Sequence, residues 1–192
     1  RSVILSHFHA DHIGGARAVL DNIPVRALLF NGALKDSPGA LALMQTVADK
    51  GIPVYAAHSP LEWQADASAT FRVLYPLPSG NESDEPVTSS EEQNDRSVVL
   101  LATLYGRRFL LPGDLETRGE HAVVEAEHAM RGSAADEDVN NKRLSIDVLK
   151  AGHHGSKTST TGLWVDFWKP TETVISVGRN NFYGHPNPGV LQ

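Results

Sequence analysis

The chain has 192 residues, 41% hydrophobic and 21% charged, which suits one soluble globular domain able to bury its own core. With no cysteine it has no disulfide, thiolate metal site or cysteine nucleophile, and no apolar run approaches the roughly 18 residues of a membrane helix. Seventeen Lys and Arg against 23 Asp and Glu give a net charge of −6, which argues against a broadly basic nucleic-acid-binding surface and leaves room only for a local patch.

In chain order, the first expected strand covers about Ser2–Ser6 and runs into His7-Phe8-His9-Ala10-Asp11-His12, followed by a helix through Leu20. An apolar stretch, Val25–Phe30, predicts a second strand. Ser37-Pro38 opens a helix that continues over Ala40–Lys50, with Leu41, Met44, Val47 and Ala48 at helical spacing, and Gly51 ends it. A short strand is expected at Ile52–Tyr55, then a hairpin from Glu62–Ala67 and Thr70–Tyr75. Residues 76–95 are rich in Pro, Ser and acidic residues and read as a mobile acidic loop. Ser97–Ala102 and Arg108–Leu111 form a second predicted hairpin around Tyr105-Gly106-Arg107, ending at Pro112-Gly113-Asp114. A helix over Thr117–Met130, a polar insertion at 131–143, a buried strand at Ile146–Lys150, a helical or turn-like Leu163–Trp168 and a last strand at Thr173–Val177 complete the chain. Strands alternate with helices, so the fold class is α/β. Arg1 in place of Met, and core-like Val3-Ile4-Leu5 at once after it, read as a segment of a longer protein.

Nine histidines without a cysteine mean that any transition-metal site uses imidazole and carboxylate, which suits Zn, Mn or Fe. Four expected strands run into a polar loop bearing His or Asp: at His7, Asp114, His153 and His185. Ligands of α/β proteins gather beyond the carboxyl ends of strands, so these four ends are expected to converge on one rim. His7-x-His9-x-Asp11-His12 is the strongest element. Alternate residues after a strand point the same way, so His7 and His9 can grip one ion, with Asp11 and His12 facing a second one. Two ions about 3.5–4 Å apart can share a hydroxide and clamp both attacking and leaving oxygens. Asp114 is placed to bridge them, and Gly113 before it permits close backbone approach.

The string Ser6-His7-Phe8-His9-Ala10-Asp11-His12-Ile13-Gly14-Gly15 resembles the signature of metallo-β-lactamase-fold hydrolases. Phe109–Asp114 resembles that family's later strand ending in Gly-Asp. Three stretches resemble its ComEC-type branch, the hydrolase domain attached to DNA-uptake channels and its stand-alone relatives: Asp147–Ser156, Ile175–Pro186 and Asn94-Asp95-Arg96-Ser97-Val98-Val99-Leu100. The resemblance implies a four-layer αββα sandwich whose N-terminal strands are missing from this chain, with an exposed sheet edge as the consequence. It implies two divalent ions, Zn or Mn. His7 and His9 would hold the first, Asp11 and His12 the second, and Asp114 both. One of His153 and His154 would complete the second site while the other touches substrate. His185 would be a late ligand or would protonate a leaving oxygen. The family's usual third histidine for the first ion has no counterpart. His58 lies in that interval in an unmatched context, and Asn94 stands in the expected region either as a weak ligand or substrate contact or as a turn residue.

The function these readings predict is metal-dependent hydrolysis of a phosphodiester, with DNA or a related nucleic acid as substrate. A hydroxide shared by the ions attacks phosphorus, Asp11 orients or deprotonates it, and His153, His154 or His185 assists the leaving group. Ser156 and Lys157 are candidate phosphate contacts, and Arg96, Arg107, Arg108, Lys150, Lys157 and Arg179 are candidates for a basic path beside the site. His58, His121 and His128 read as surface residues, and Trp63, Trp164 and Trp168 as packing. Two rivals remain: a small-molecule hydrolase of a phosphoester, lactam or thioester on the same fold, and an effector or regulatory module of a DNA-uptake or defence assembly. The expected location follows the parent protein: cytoplasmic for a stand-alone or defence enzyme, extracytoplasmic at the membrane for a fusion to an uptake channel.

Overall fold

The computed structural model describes residues 1–78, 93–131 and 145–191. Most of the expected acidic loop and nearly all of the polar insertion therefore lie outside the described residues. Three parallel strands form the first sheet in the order β1 (Ser2–Ile4), β2 (Ala27–Phe30), β3 (Val54–Ala56). Six form the second, in sequence order: β4 (Glu62–Asp66), β5 (Ala69–Tyr75), β6 (Val99–Leu104), β7 (Arg107–Leu111), β8 (Val148–Lys150) and β9 (Glu172–Val174). The first four of these pair antiparallel, whereas β7, β8 and β9 run parallel.

The layers follow from which face each strand residue buries. Val3, Leu5, Leu28 and Phe30 pack under α1 (Ala10–Ile13), α2 (Ala16–Asn22) and α3 (Pro38–Asp49), through Ile13, Leu20, Leu43 and Val47. Ile4 and Leu29, alternating with them, face the other way and meet Phe71, Val73, Val98 and Leu100 of the second sheet. The far face of that sheet carries Leu101, Leu110 and Leu149 against α4 (Thr117–Arg131) and α5 (Gly162–Trp168), with Val123, Val124, Trp164, Phe167 and Trp168. Three apolar interfaces between four layers make the expected αββα sandwich. Trp164 and Trp168 are core residues, and Trp63 stacks on Phe71. Within the first sheet β1 and β3 are the edges.

Helix starts are set by local chemistry. Ser37 accepts from the Ala40 amide ahead of Pro38, and Thr161 accepts from the Trp164 amide. Fully buried Glu120 of α4 accepts hydrogen bonds from the Thr160 and Thr161 amides and the Thr161 hydroxyl, tying the loop before α5 to α4. The last strand is shorter than expected. Pairing with β8 ends at Lys150↔Val174, because β8 stops where the Gly152 turn begins, so Ile175–Val177 have no ladder to join.

Leu149 is fully buried at the centre of the second sheet's helix-facing core. Leu149→Ala should lower unfolding free energy by about 2–5 kcal/mol, seen as a lower denaturant midpoint at unchanged slope.

Candidate metal centre

Chain direction gathers the site on one edge. Parallel β7, β8 and β9 deliver Asp114, the His153-His154 pair and the loop to His185 beyond their carboxyl ends. β6 runs antiparallel to β7, so the Asn94–Ser97 approach to it opens on the same rim. β1 contributes from the other sheet, joined there by the Val98 amide donating to the Ser6 carbonyl at 2.9 Å. Gly113 lies at the seam with φ +61°, and a Cβ on it would fall 2.7 Å from Ser6 Cβ and 2.9 Å from Ser97 Cβ. Only glycine fits both that backbone and that approach.

Asp114 is 2% exposed and lies at the centre. Its Oδ2 stands 3.0 Å from His12 Nε2 and 3.4 Å from His154 Nε2, and Asp11 Oδ2 is 3.0 Å from His154 Nε2. Asp11, His12, Asp114 and His154 each offer a ligand atom, all within 4.8 Å of one another. His7 and His9 adjoin this group, with the His7 ring 4.1 Å from that of His12 and 4.5 Å from that of His9. The Nε2 atoms of His7 and His9 and Asp114 Oδ1 are buried without a hydrogen-bond partner. Buried polar atoms normally have partners, and unpartnered imidazole nitrogens around a buried carboxylate are the donor set a divalent nitrogen/oxygen-ligated ion needs.

Serine hydroxyls hold the imidazoles. Ser6 Oγ contacts Nδ1 of His7 at 3.1 Å and of His12 at 3.0 Å. Ser97 Oγ contacts His7 Nδ1 at 3.3 Å and accepts from the Asp114 amide at 3.0 Å. The metal-binding tautomer is the one in which Nδ1 donates to these oxygens, leaving Nε2 with its lone pair. Burial, reinforced by His12, pulls the His7 pKa down to about 2, so His7 is neutral at pH 7 as a ligand must be. Burial alone would raise the Asp114 carboxyl, but the close approach of the His12 and His154 rings outweighs it and keeps the group ionised. The bond to Asp114 raises His154 to about 9 against desolvation, helped by the Ser176 carbonyl that accepts from Nδ1 at 2.7 Å.

The histidine pair, left open by spacing, is divided by the turn Gly152–Gly155, in which both residues take left-handed backbone, φ 43° and 55°. His154 joins the Asp11-His12-Asp114 cluster. His153 points its Nδ1 at Glu116 Oε1, 3.0 Å away, with Nε2 4.0 Å from Asp114 Oδ2. Its ring is 5.6 Å from that of His185, which lies against Tyr183. Asn94 is buried, donates to Glu116 Oε1 at 3.3 Å and leaves its Oδ1 without a partner. Ser156 is also buried and shares its hydroxyl with that of Thr158 at 2.9 Å, whereas Lys157 is exposed. Sequence reasoning missed Glu116, Ser6 and Ser97 as the groups that orient these rings; Ser6 and Ser97 both stood within the resembling motifs, whereas Glu116 did not.

The basic path needs correction. Arg107 and Arg108 begin β7, at the end of the strand away from Asp114, where Arg107 pairs with Asp147 at 2.6 Å and Arg108 donates to the Ser145 carbonyl at 3.0 Å. Lys150 lies beneath the site and donates to the Gly113 and Ala151 carbonyls at 3.1 Å. His121 and His128 are exposed as expected, and half-buried His58 contacts the Asn31 carbonyl.

Residues 1–179 match the family described as the metallo-beta-lactamase superfamily. The chain belongs to it. Three curated proteins are similar over nearly the whole chain. The ComE operon protein 3 of Bacillus subtilis (strain 168) is 30% identical over 100% of this chain and 22% of its own length. The competence protein ComA of Neisseria gonorrhoeae is 29% identical over 98% and 21%. The recombination protein 2 of Haemophilus influenzae is 27% identical over 99% and 19%. The chain thus spans about a fifth of the length of these relatives. Similarity to these three bears out the ComEC-type resemblance of the chain's motifs. Among the described residues no helix is long and apolar enough to cross a membrane.

Because His154 is protonated at pH 7 and an ion needs its lone pair, metal binding must displace that proton. Titration calorimetry with Mn or Zn in buffers of different ionisation enthalpy should show about one proton released per chain at pH 7. Release should fall away, and affinity level off, above the His154 pKa of about 9.

Proposed function

We propose that this chain is a metal-dependent phosphodiesterase acting on DNA or a related nucleic acid, working as the hydrolytic part of a longer polypeptide. The observation that carries the reading is the buried Asp114 carboxylate ringed by Asp11, His12 and His154, with the unpartnered Nε2 atoms of His7 and His9 beside it. His7, His9 and Asp114 would hold one ion and Asp11, His12, His154 and Asp114 the other. When bound, such ions supply Lewis-acid polarisation of a phosphoryl oxygen and lower the pKa of water.

The chain's own residues do the rest. Asp11, 61% exposed, is the carboxylate of the cluster nearest solvent and so is placed to orient an incoming water. Glu116 fixes His153 through Nδ1, which turns its Nε2 toward the Asp114 side, where it can hold a nonbridging oxygen. His185 faces His153 from the loop after β9, and burial together with the charges of His153 and His154 lowers its pKa. A neutral imidazole there takes a proton from solvent and passes it to the departing alkoxide. The Gly155 carbonyl accepts from the Asn187 amide at 2.8 Å, and Asn181 binds the His185 backbone through both amide and carbonyl, so the two loops are held together. The names competence and recombination protein carried by the relatives favour DNA as the substrate.

Purified protein reconstituted with Mn or Zn should cleave DNA and the chromogenic diester bis(p-nitrophenyl) phosphate. Asp11→Ala and Asp114→Ala should each reduce both activities by on the order of 10²–10³-fold or more. Cleavage retained in both variants would overturn the proposal, and turnover of a lactam or thioester without any diester would give the site to small-molecule hydrolysis instead.

A further inference from the structure

Beside the metal-type cluster, between α1 and the start of α3, is a cleft of about 360 Å³. Phe8, Ile13 and Leu43 give it an apolar wall, and Arg17 and Lys35 add two cationic side chains. It is built on the ligand segment. Phe8, between His7 and His9, and Ala10, which opens α1 next to Asp11, line the cleft, so it shares its chain segment with the metal centre. Lys35 is near enough for its charge to disfavour a proton on His9, second only to burial.

The volume of the cleft lies within the range of small-molecule sites, and an apolar wall with a few charged groups is their usual composition. A phosphodiester held at the metal centre carries a nucleoside on each side. The cleft that Phe8 and Ala10 line adjoins the ligand residues in the chain, which makes it a surface for one of them. A base and sugar match the apolar wall, and the phosphate beyond them matches Lys35 and Arg17. A base inside a cleft is neither paired nor stacked in a duplex.

We infer that this cleft takes the base and sugar of the nucleotide next to the scissile phosphodiester, so that the substrate is single-stranded nucleic acid. The inference rests on the phosphodiesterase reading above.

Two variants test it without touching the core. Ala42 is exposed on α3 and lines the cleft, so Ala42→Trp fills the space from outside, and Lys35→Ala removes a cation from half-exposed surface. Unchanged circular dichroism and melting temperature would show that both variants fold. Steady-state cleavage by the metal-loaded 192-residue chain is compared on a single-stranded dodecadeoxynucleotide, its duplex and bis(p-nitrophenyl) phosphate. The wild type should prefer the single strand. In each variant the ratio of kcat/KM for the single strand to that for the small diester should fall about tenfold, mostly through KM. Fluorescence anisotropy in chelator should show the same loss in single-strand binding and little change for duplex. An unchanged ratio, or equal losses on single strand and duplex, overturns the inference while leaving the phosphodiesterase reading intact. A wild type that cleaves neither diester overturns both.

Discussion

A carboxylate almost without solvent contact, Asp114, dictates the arrangement of this rim. Burying an ionised carboxylate costs several kcal/mol unless charge and hydrogen bonds offset it. Here His12 and His154 approach one oxygen while the other has no hydrogen-bond partner and Lys150 at 3.9 Å. The pull of this carboxylate raises the pKa of His154, so a proton on that ring offsets part of the buried charge. Proton and divalent ion are therefore alternatives at one electrostatic position. The same pull that stabilises the metal-free site makes its nitrogen a ligand that must first give up a proton.

Two sheets have to meet closely for that carboxylate to be reached from both. Ser6 and Ser97 come from opposite sheets, and Gly113 is the only residue type that lets the backbone pass between them. The two hydroxyls at this seam also orient His7 and His12 and cap the Asp114 amide. Packing and chemistry thus share atoms. A Cβ at Gly113 would disturb the sheet contact, the histidine orientation and the carboxylate in a single change.

Much of this was legible in the sequence, because short motifs report local geometry well. The His7–His12 string predicted convergence of ligands after a strand, and the helix start at Ser37 follows from side-chain capping. What was not legible depended on direction and on distant partners. Spacing could not separate His153 from His154, since two successive left-handed residues turn the rings apart in a way no alternation rule anticipates. Arg107 and Arg108 precede Asp114 by few residues, yet a strand runs between, and an extended strand of that length carries its ends about 15 Å apart. Glu116 was missed because its role depends on His153, Asn94 and Thr158, which are brought to it by three other parts of the chain.

The stretch from His7 to Asp11 connects metal chemistry to substrate shape. Side chains on extended backbone alternate, so His7 and His9 turn one way and Phe8 between them the other, while Ala10 and Asp11 open α1. Phe8 is 1% exposed, packs edge-on against Phe30 and so anchors the stretch to the first sheet's helical layer. Its position is set by core packing, and the ligands on either side inherit that precision. Phe8 and the start of α1 place the wall of the cleft at a fixed offset from the metal centre. A substrate group seated there would be registered against the ions by the backbone itself, without any loop having to close over it.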